Sequence, residues 1–234
     1  LNWFFDHAET ISDASIERVK KLGGGIAIQN RMAFQGEYFL GRYGKEQTLR
    51  TPPLNKILAV EIPVGMGTDA TRVSSYNPWL CLYWLTTGKT VGGASLYDET
   101  NILSREKALE LYTKGSAWFS NEQEKKGSFI EGQLADLAIL SKDFFTVSDE
   151  EIKNIYSVMT ILGGKIVHAS DEFSQDNPPL PPISPEWSPV KYSGTYAQNK
   201  TLLQRNSNHL LCKGHQHKIE HHSNFHFGCF CWAF

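Results

Sequence analysis

The stretch Ile62-Pro63-Val64-Gly65-Met66-Gly67-Thr68-Asp69-Ala70-Thr71-Arg72 decides how this chain is read. A short apolar run, broken by small residues, ends on an aspartate and passes into a loop. That is the pattern of a buried parallel strand delivering a carboxylate to the open end of an α/β barrel, where chemistry is usually sited. Taken alone, the aspartate would serve equally well to cap the next turn. A second stretch, Trp3-Phe4-Phe5-Asp6-His7-Ala8-Glu9, places His7 in a similar position. Two strands would then aim a histidine and an aspartate at one mouth, a pairing suited to metal-assisted hydrolysis.

The bulk properties bound this reading. A chain of 234 residues makes one domain of ordinary size or one and a half. With 41% hydrophobic and 21% charged residues it has the composition of a soluble globular protein with a sizeable core. A net charge of −2 leaves no electrostatic footprint for nucleic acid or an anionic membrane. No apolar run approaches the roughly 18 residues that span a bilayer. The first residues have no basic region and no small-residue cleavage site, so they do not form a signal peptide. They lack an initiator methionine and open directly into a strand-like segment, which suggests a chain cut from something longer. Cys81, Cys212, Cys229 and Cys231 are too few for a disulfide framework at this length, so a reduced, cytoplasmic setting is expected. The sequon Asn199-Lys200-Thr201 carries no meaning without secretion.

In chain order, Trp3 to Phe5 read as a short strand. Ser12 caps a helix over Asp13 to Leu22, with Ile16, Val19 and Leu22 on its apolar face. Three glycines end it, and Gly25 to Gln29 form the next strand. Asn30 to Tyr43 are too rich in Gly and Tyr for a plain helix and read as a substrate loop, with Asn30, Arg31, Phe34, Tyr38 and Phe39 facing a pocket or merely packing. Pro52-Pro53 open a helix through Leu54 and Ile57, and Asn77-Pro78 open another over Trp79 to Leu85. Ser104 caps a longer helix whose stripe of Ala108, Leu109, Leu111 and Tyr112 is core. After Gly127 the texture becomes β. Ser128 to Leu140 read as a turn followed by an apolar strand, and Ile155 to Leu162 turn through Gly163-Gly164 into Lys165 to His168 as a hairpin. Asn177 to Pro189 are proline-rich and extended, and the remainder is polar and rich in histidine.

Three separated motifs together resemble the metal-dependent amidohydrolase superfamily, in the branch called amidohydrolase family three. Phe5-Asp6-His7-Ala8-Glu9 resembles the family's sixth barrel strand with its metal-binding histidine. Gly67-Thr68-Asp69-Ala70 resembles the eighth strand with its metal-binding, proton-shuttling aspartate. Gly132 to Leu140, followed by Gly163 to Val167, resembles the return to a β-sandwich after the barrel. The resemblance covers about residues 1 to 170. It implies an α/β fold: part of a TIM-type (β/α)8 barrel, strands six to eight, plus part of a β-sandwich composite domain. The implied domains are 1–127 for the barrel portion, 128–176 for the sandwich portion, and 177–234 for the proline-rich segment and tail.

The same resemblance implies hydrolysis of a non-peptide carbon–nitrogen bond in a small amide. His7 and Asp69 would hold a divalent metal, most simply zinc, and Asp69 would also carry the proton. Arg31 and Arg72 are the expected substrate-binding residues. Glu9 fits a supporting or a solvated role equally. The family's His-x-His pair, bridging ligand and further histidine are not matched. The sole His-x-His, His215-Gln216-His217, lies in the polar tail with no strand around it. About half of the ligand set is therefore expected to be absent, and the chain inactive alone. A different reading is a non-catalytic interaction protein with a structural metal in the tail, held by Cys212, His215, Cys229 and Cys231. A half barrel also leaves sheet edges open. Self-association, or pairing with the missing amino-terminal half, is the expected behaviour in sedimentation; a monomer with one cooperative melt would contradict it.

Overall fold

The computed structural model describes residues 2–70 and 73–179. Strands β1 (Phe4–Asp6), β2 (Gly25–Gln29) and β3 (Val64–Gly67) form one parallel sheet in that order. Phe5 pairs with Ile26 and Ile28 with Met66, so the central strand is β2, whose Ile26 and Ile28 are buried. Helix α1 (Asp13–Lys21) connects β1 to β2. Ser12 Oγ accepts the amide of Ser15 at 3.2 Å, an acid opens the helix, and bases close it, as the helix dipole favours. Ile16 and Val19 face the core, but Leu22 is exposed, contrary to the apolar-face reading. It lies past the last turn, where Gly23 at φ 67° reverses the chain and the Leu22 carbonyl accepts the Trp3 indole N–H.

The clearest correction concerns Asn30 to Tyr43. Instead of a loop, helix α2 (Arg31–Thr48) follows β2 directly. Met32, Ala33 and Gly36 are buried on one face. Gly36 is there because Leu96 needs the space: a Cβ would stand 2.4 Å from Leu96 Cδ1. Tertiary packing has overridden a low helix propensity. Gly44, at φ 79° and ψ 171°, does break the helix. Helix α3 (Leu54–Ala59) then leads into β3.

Helix α4 (Pro78–Thr87) starts as its sequence suggests, with Asn77 Oδ1 accepting the Trp79 amide at 2.9 Å and Pro78 in the first turn. Leu80 through Leu85 are all buried, the mark of a helix apolar all round and enclosed on every side. The helix expected after Ser104 is instead three pieces: α5 (Arg105–Glu110), a wide π turn over Leu111–Gly115, and α6 (Ser116–Phe119). The wide turn brings Gly115 and Ser116 onto β3. Ser116 Oγ donates to the Met66 carbonyl at 2.8 Å and accepts the Met66 amide at 3.1 Å.

A second, antiparallel sheet joins β4 (Leu137–Leu140), β5 (Ser157–Leu162) and β6 (Lys165–Ala169) in sequence order. Gly163 and Gly164 have φ 56° and 78°, the backbone that a two-residue hairpin turn requires. Helix α7 (Asp149–Ile152), between β4 and β5, packs on α4. There the Tyr83 hydroxyl donates to Glu150 at 2.9 Å, and Arg105 reaches Asp149 at 2.8 Å. Burial, then the Glu150 contact, pushes the Tyr83 phenol up to about 12. Phe144, Ile152 and Ile155 belong to the same core cluster as Ile26 and Val64. Among the described residues no helix is long and apolar enough to cross a membrane.

Two glycines separate contact from propensity. A Cβ at Gly115 would lie 2.4 Å from the Val64 carbonyl oxygen, which is main chain and cannot step aside, whereas Gly41 in α2 has open space around it. Gly115→Ala is expected to destabilise by about 1–3 kcal/mol, and Gly41→Ala to stabilise by about 0.5–1 kcal/mol. Urea unfolding of both variants checks this, and equal midpoints would refute the packing at β3.

Candidate functional site

His7 lies one residue beyond β1 and Asp69 two residues beyond β3, so both stand at carboxyl ends of parallel strands that flank β2. The chain leaves both strands in the left-handed region: φ is 72° at His7, 55° at Ala8 and 52° at Asp69. For L-residues with a Cβ this conformation costs about 1–2 kcal/mol each. It persists only where the surroundings impose it, and such residues cluster at functional sites.

The imposing contacts are visible at His7. Its amide donates to the Ala27 carbonyl at 2.8 Å and to Gln29 Oε1 at 2.8 Å. Gln29 Nε2 points on to Asp6 Oδ1 at 3.4 Å. Gln29 therefore ties the exit of β1 to the end of β2. The one local mark of this role in the sequence is a polar residue closing an otherwise apolar strand.

The exits bring His7 Nδ1 to 3.9 Å from Asp69 Oδ2, with both side chains partly exposed. That is beyond hydrogen-bond reach. His7 Nδ1 is itself buried and has no hydrogen-bond partner. Two ligands of one zinc ion stand about 3.4 Å apart at a tetrahedral angle. The pair thus fits a shared ion after a small closure, and the orphaned imidazole nitrogen is the atom that would gain. Among the described residues no group of three or more His, Cys, Asp or Glu side chains forms a metal cluster, so this pair offers two ligands.

Arg31 opens α2, and its Nε lies 3.5 Å from Glu9 Oε1 on the loop after β1. Both residues line a cleft of about 300 Å³ with Gln35, Tyr38, Phe39 and Tyr43. Of the five residues expected either to face a pocket or to pack, Arg31, Tyr38 and Phe39 line the cleft. Phe34 instead packs against the core. Asn30 is fully buried, and neither side-chain polar atom has a partner. Arg72, Cys212, His215, Cys229 and Cys231 lie outside the described residues, as do the sequon and the histidine-rich tail. Replacing Gln29 by Leu removes one acceptor from the His7 amide and is expected to cost about 1 kcal/mol. Hydrogen exchange at His7 and Ala8 should quicken; unchanged exchange would mean that Gln29 does not hold the turn.

The sequence pattern of the amidohydrolase family matches residues 2–168. YtcJ of Bacillus subtilis (strain 168) is 25% identical over 166 residues, 69% of this chain and 31% of that protein. The N-substituted formamide deformylase of Arthrobacter pascens is 24% identical over 161 residues, 68% of this chain and 29% of the enzyme. The chain thus spans less than a third of the length of these relatives. The crystal structure of an uncharacterised metal-dependent hydrolase from Pyrococcus horikoshii OT3 superimposes with a TM-score of 0.53 at 26% identity, over 62% of this chain and 30% of that one. With more than half of its length matched, this chain belongs to the amidohydrolase family.

Proposed function

We propose that the chain is part of a metal-dependent hydrolase that cleaves a non-peptide carbon–nitrogen bond in a small amide, with His7 and Asp69 as metal ligands. The observation that carries this is the convergence of those side chains, 3.9 Å apart, from the left-handed exits of two parallel strands. The likeness to a formamide deformylase and to a metal-dependent hydrolase supports it. In this reading β1, β2 and β3 are strands six, seven and eight of a (β/α)8 barrel. Residues 1–127 are its carboxy-terminal portion, 128–176 part of a composite sandwich, and 177–234 a separate segment. The remaining ligands come from a partner segment, and the chain alone is inactive. The protein works in the cytoplasm on a small-molecule substrate, as a homo-oligomer or paired with that segment.

Imidazole nitrogen and carboxylate oxygen both suit zinc. The ion, when bound, acidifies a water and polarises the amide carbonyl. Ala27 and Gln29 pin the His7 main chain, and its buried Nδ1 stands 3.9 Å from Asp69 Oδ2. Asp69 accepts the proton of the attacking water and returns it to the departing nitrogen as a carbon–oxygen bond replaces the carbon–nitrogen bond. Such general acid–base help is worth about 10²–10⁴-fold in rate. Arg31 and Arg72 contact the substrate.

Zinc titration against a chromophoric competitor tests the ligand pair. Loss of a supporting partner alone typically weakens a metal site by roughly 10–100-fold, so His7→Ala and Asp69→Asn should each weaken binding by at least about tenfold. Cys229→Ser should leave it unchanged. Asp69→Gly should bind zinc no better than Asp69→Asn and yet gain about 1 kcal/mol of stability, because glycine tolerates φ 52°. Equal zinc affinity in wild type, His7→Ala and Asp69→Asn would sink the reading. Loss only in Cys229→Ser would move the metal to the tail.

A further inference from the structure

The cleft that begins at Glu9 and Arg31 does not end at its aromatic wall. A second cleft, of about 700 Å³, lies against it, and the two share Thr10, Phe39 and Tyr43. The rings of Phe39 and Tyr43 are 4.6 Å apart and tilted by 44°, so they form one aromatic surface common to both spaces. Each volume is within the range of small-molecule sites, and together they hold far more than an amide group fills.

The far compartment has a distinct polarity. Its charged lining residues are Asp13, Arg50 and Lys56, two bases against one acid. Lys56 is neutralised by Asp13, with Nζ 2.5 Å from Oδ2. Arg50 is held loosely: Nη2 is 3.7 Å from Glu46 Oε1 and 3.4 Å from Gln47 Oε1. Glu46 does not line the cleft and is largely exposed, so this contact is weak. A carboxylate arriving in the cleft would exchange two long contacts for a forked guanidinium–carboxylate pair, the geometry arginine favours.

We propose that the two compartments are one elongated substrate cleft, and that the substrate is an amide whose substituent carries a flat apolar segment across Phe39 and Tyr43 and ends in a carboxylate at Arg50. This rests on the reading of His7 and Asp69 as the reacting end, and it adds the substrate class and a specificity residue, Arg50. The amide end lies toward Glu9 and Arg31, and the substituent runs over the aromatic pair between the start of α1 and the end of α2.

The experiment is an NMR titration of the whole 234-residue chain with 4-phenylbutyrate and with its neutral analogue 4-phenylbutanamide. Wild-type protein is expected to bind the carboxylate saturably. Arg50→Ala should weaken it by about tenfold, the usual loss for one charge-assisted pair. Tyr43→Ala should weaken both compounds alike. The neutral analogue should bind weakly and equally to wild type and Arg50→Ala. His7→Ala should bind the carboxylate as wild type does, so a failed zinc experiment and a failed titration are told apart. Arg50 and Tyr43 are 54% and 51% exposed and neither belongs to the core cluster, so neither substitution threatens the fold. No saturable binding of phenylbutyrate to wild type would overturn the proposal, as would an Arg50→Ala variant that binds it undiminished.

Discussion

The arrangement of the site depends on how β1 ends. A strand would normally run on in the extended region, but at His7 the backbone turns to φ 72°, and Ala8 follows at 55°. What holds it there is a shared hydrogen bond: one amide, two acceptors, the Ala27 carbonyl of the neighbouring strand and the side chain of Gln29. The parallel register of β1 on β2 supplies the first acceptor and the last residue of β2 the second. The carboxyl edge of the sheet thereby fixes where an imidazole can stand.

The rest of the fold supports that edge. α4 is apolar on every side, gives Cys81 through Leu85 to the core cluster and packs on α7, and its Cys81 Sγ lies 3.8 Å from the Gly67 carbonyl at the end of β3. The π turn before α6 lets Gly115 come within contact of the β3 main chain, and Ser116 serves the amide and carbonyl of Met66. β3 is thus braced just before it releases Asp69. Around the site the protein places a paired Glu9 and Arg31 and then an aromatic surface. Two adjoining clefts share that surface, one lined by Glu9 and Arg31 and the other by Asp13, Arg50 and Lys56.

Much of this was legible in the residues. Ser12 and Asn77-Pro78 marked helix starts, Gly163-Gly164 marked the hairpin, and Gly25 to Gln29 marked a strand. These are local rules in which a residue's own chemistry decides its neighbours' backbone. Asn30 to Tyr43 are the exception, because their Gly and Tyr content argues locally against the helix that forms. Gly36 serves a contact 60 residues away in Leu96, which no local rule encodes, while Gly44 acts as a breaker should.

The sequence by itself determined the strand–helix alternation, the hairpin, and the two positions, His7 and Asp69, at which strands hand a ligand-type side chain to a loop. Those follow from periodicity, caps and turn chemistry, all short in range. Only the tertiary structure decided that the two side chains stand 3.9 Å apart, that Gln29 bonds to the His7 amide, and that Phe39 and Tyr43 line two adjoining clefts, one of them lined by Arg50. Those depend on strand register and on the packing of α2 against residues far along the chain. Distances between such residues are set by the whole core, not by the residues on either side of them.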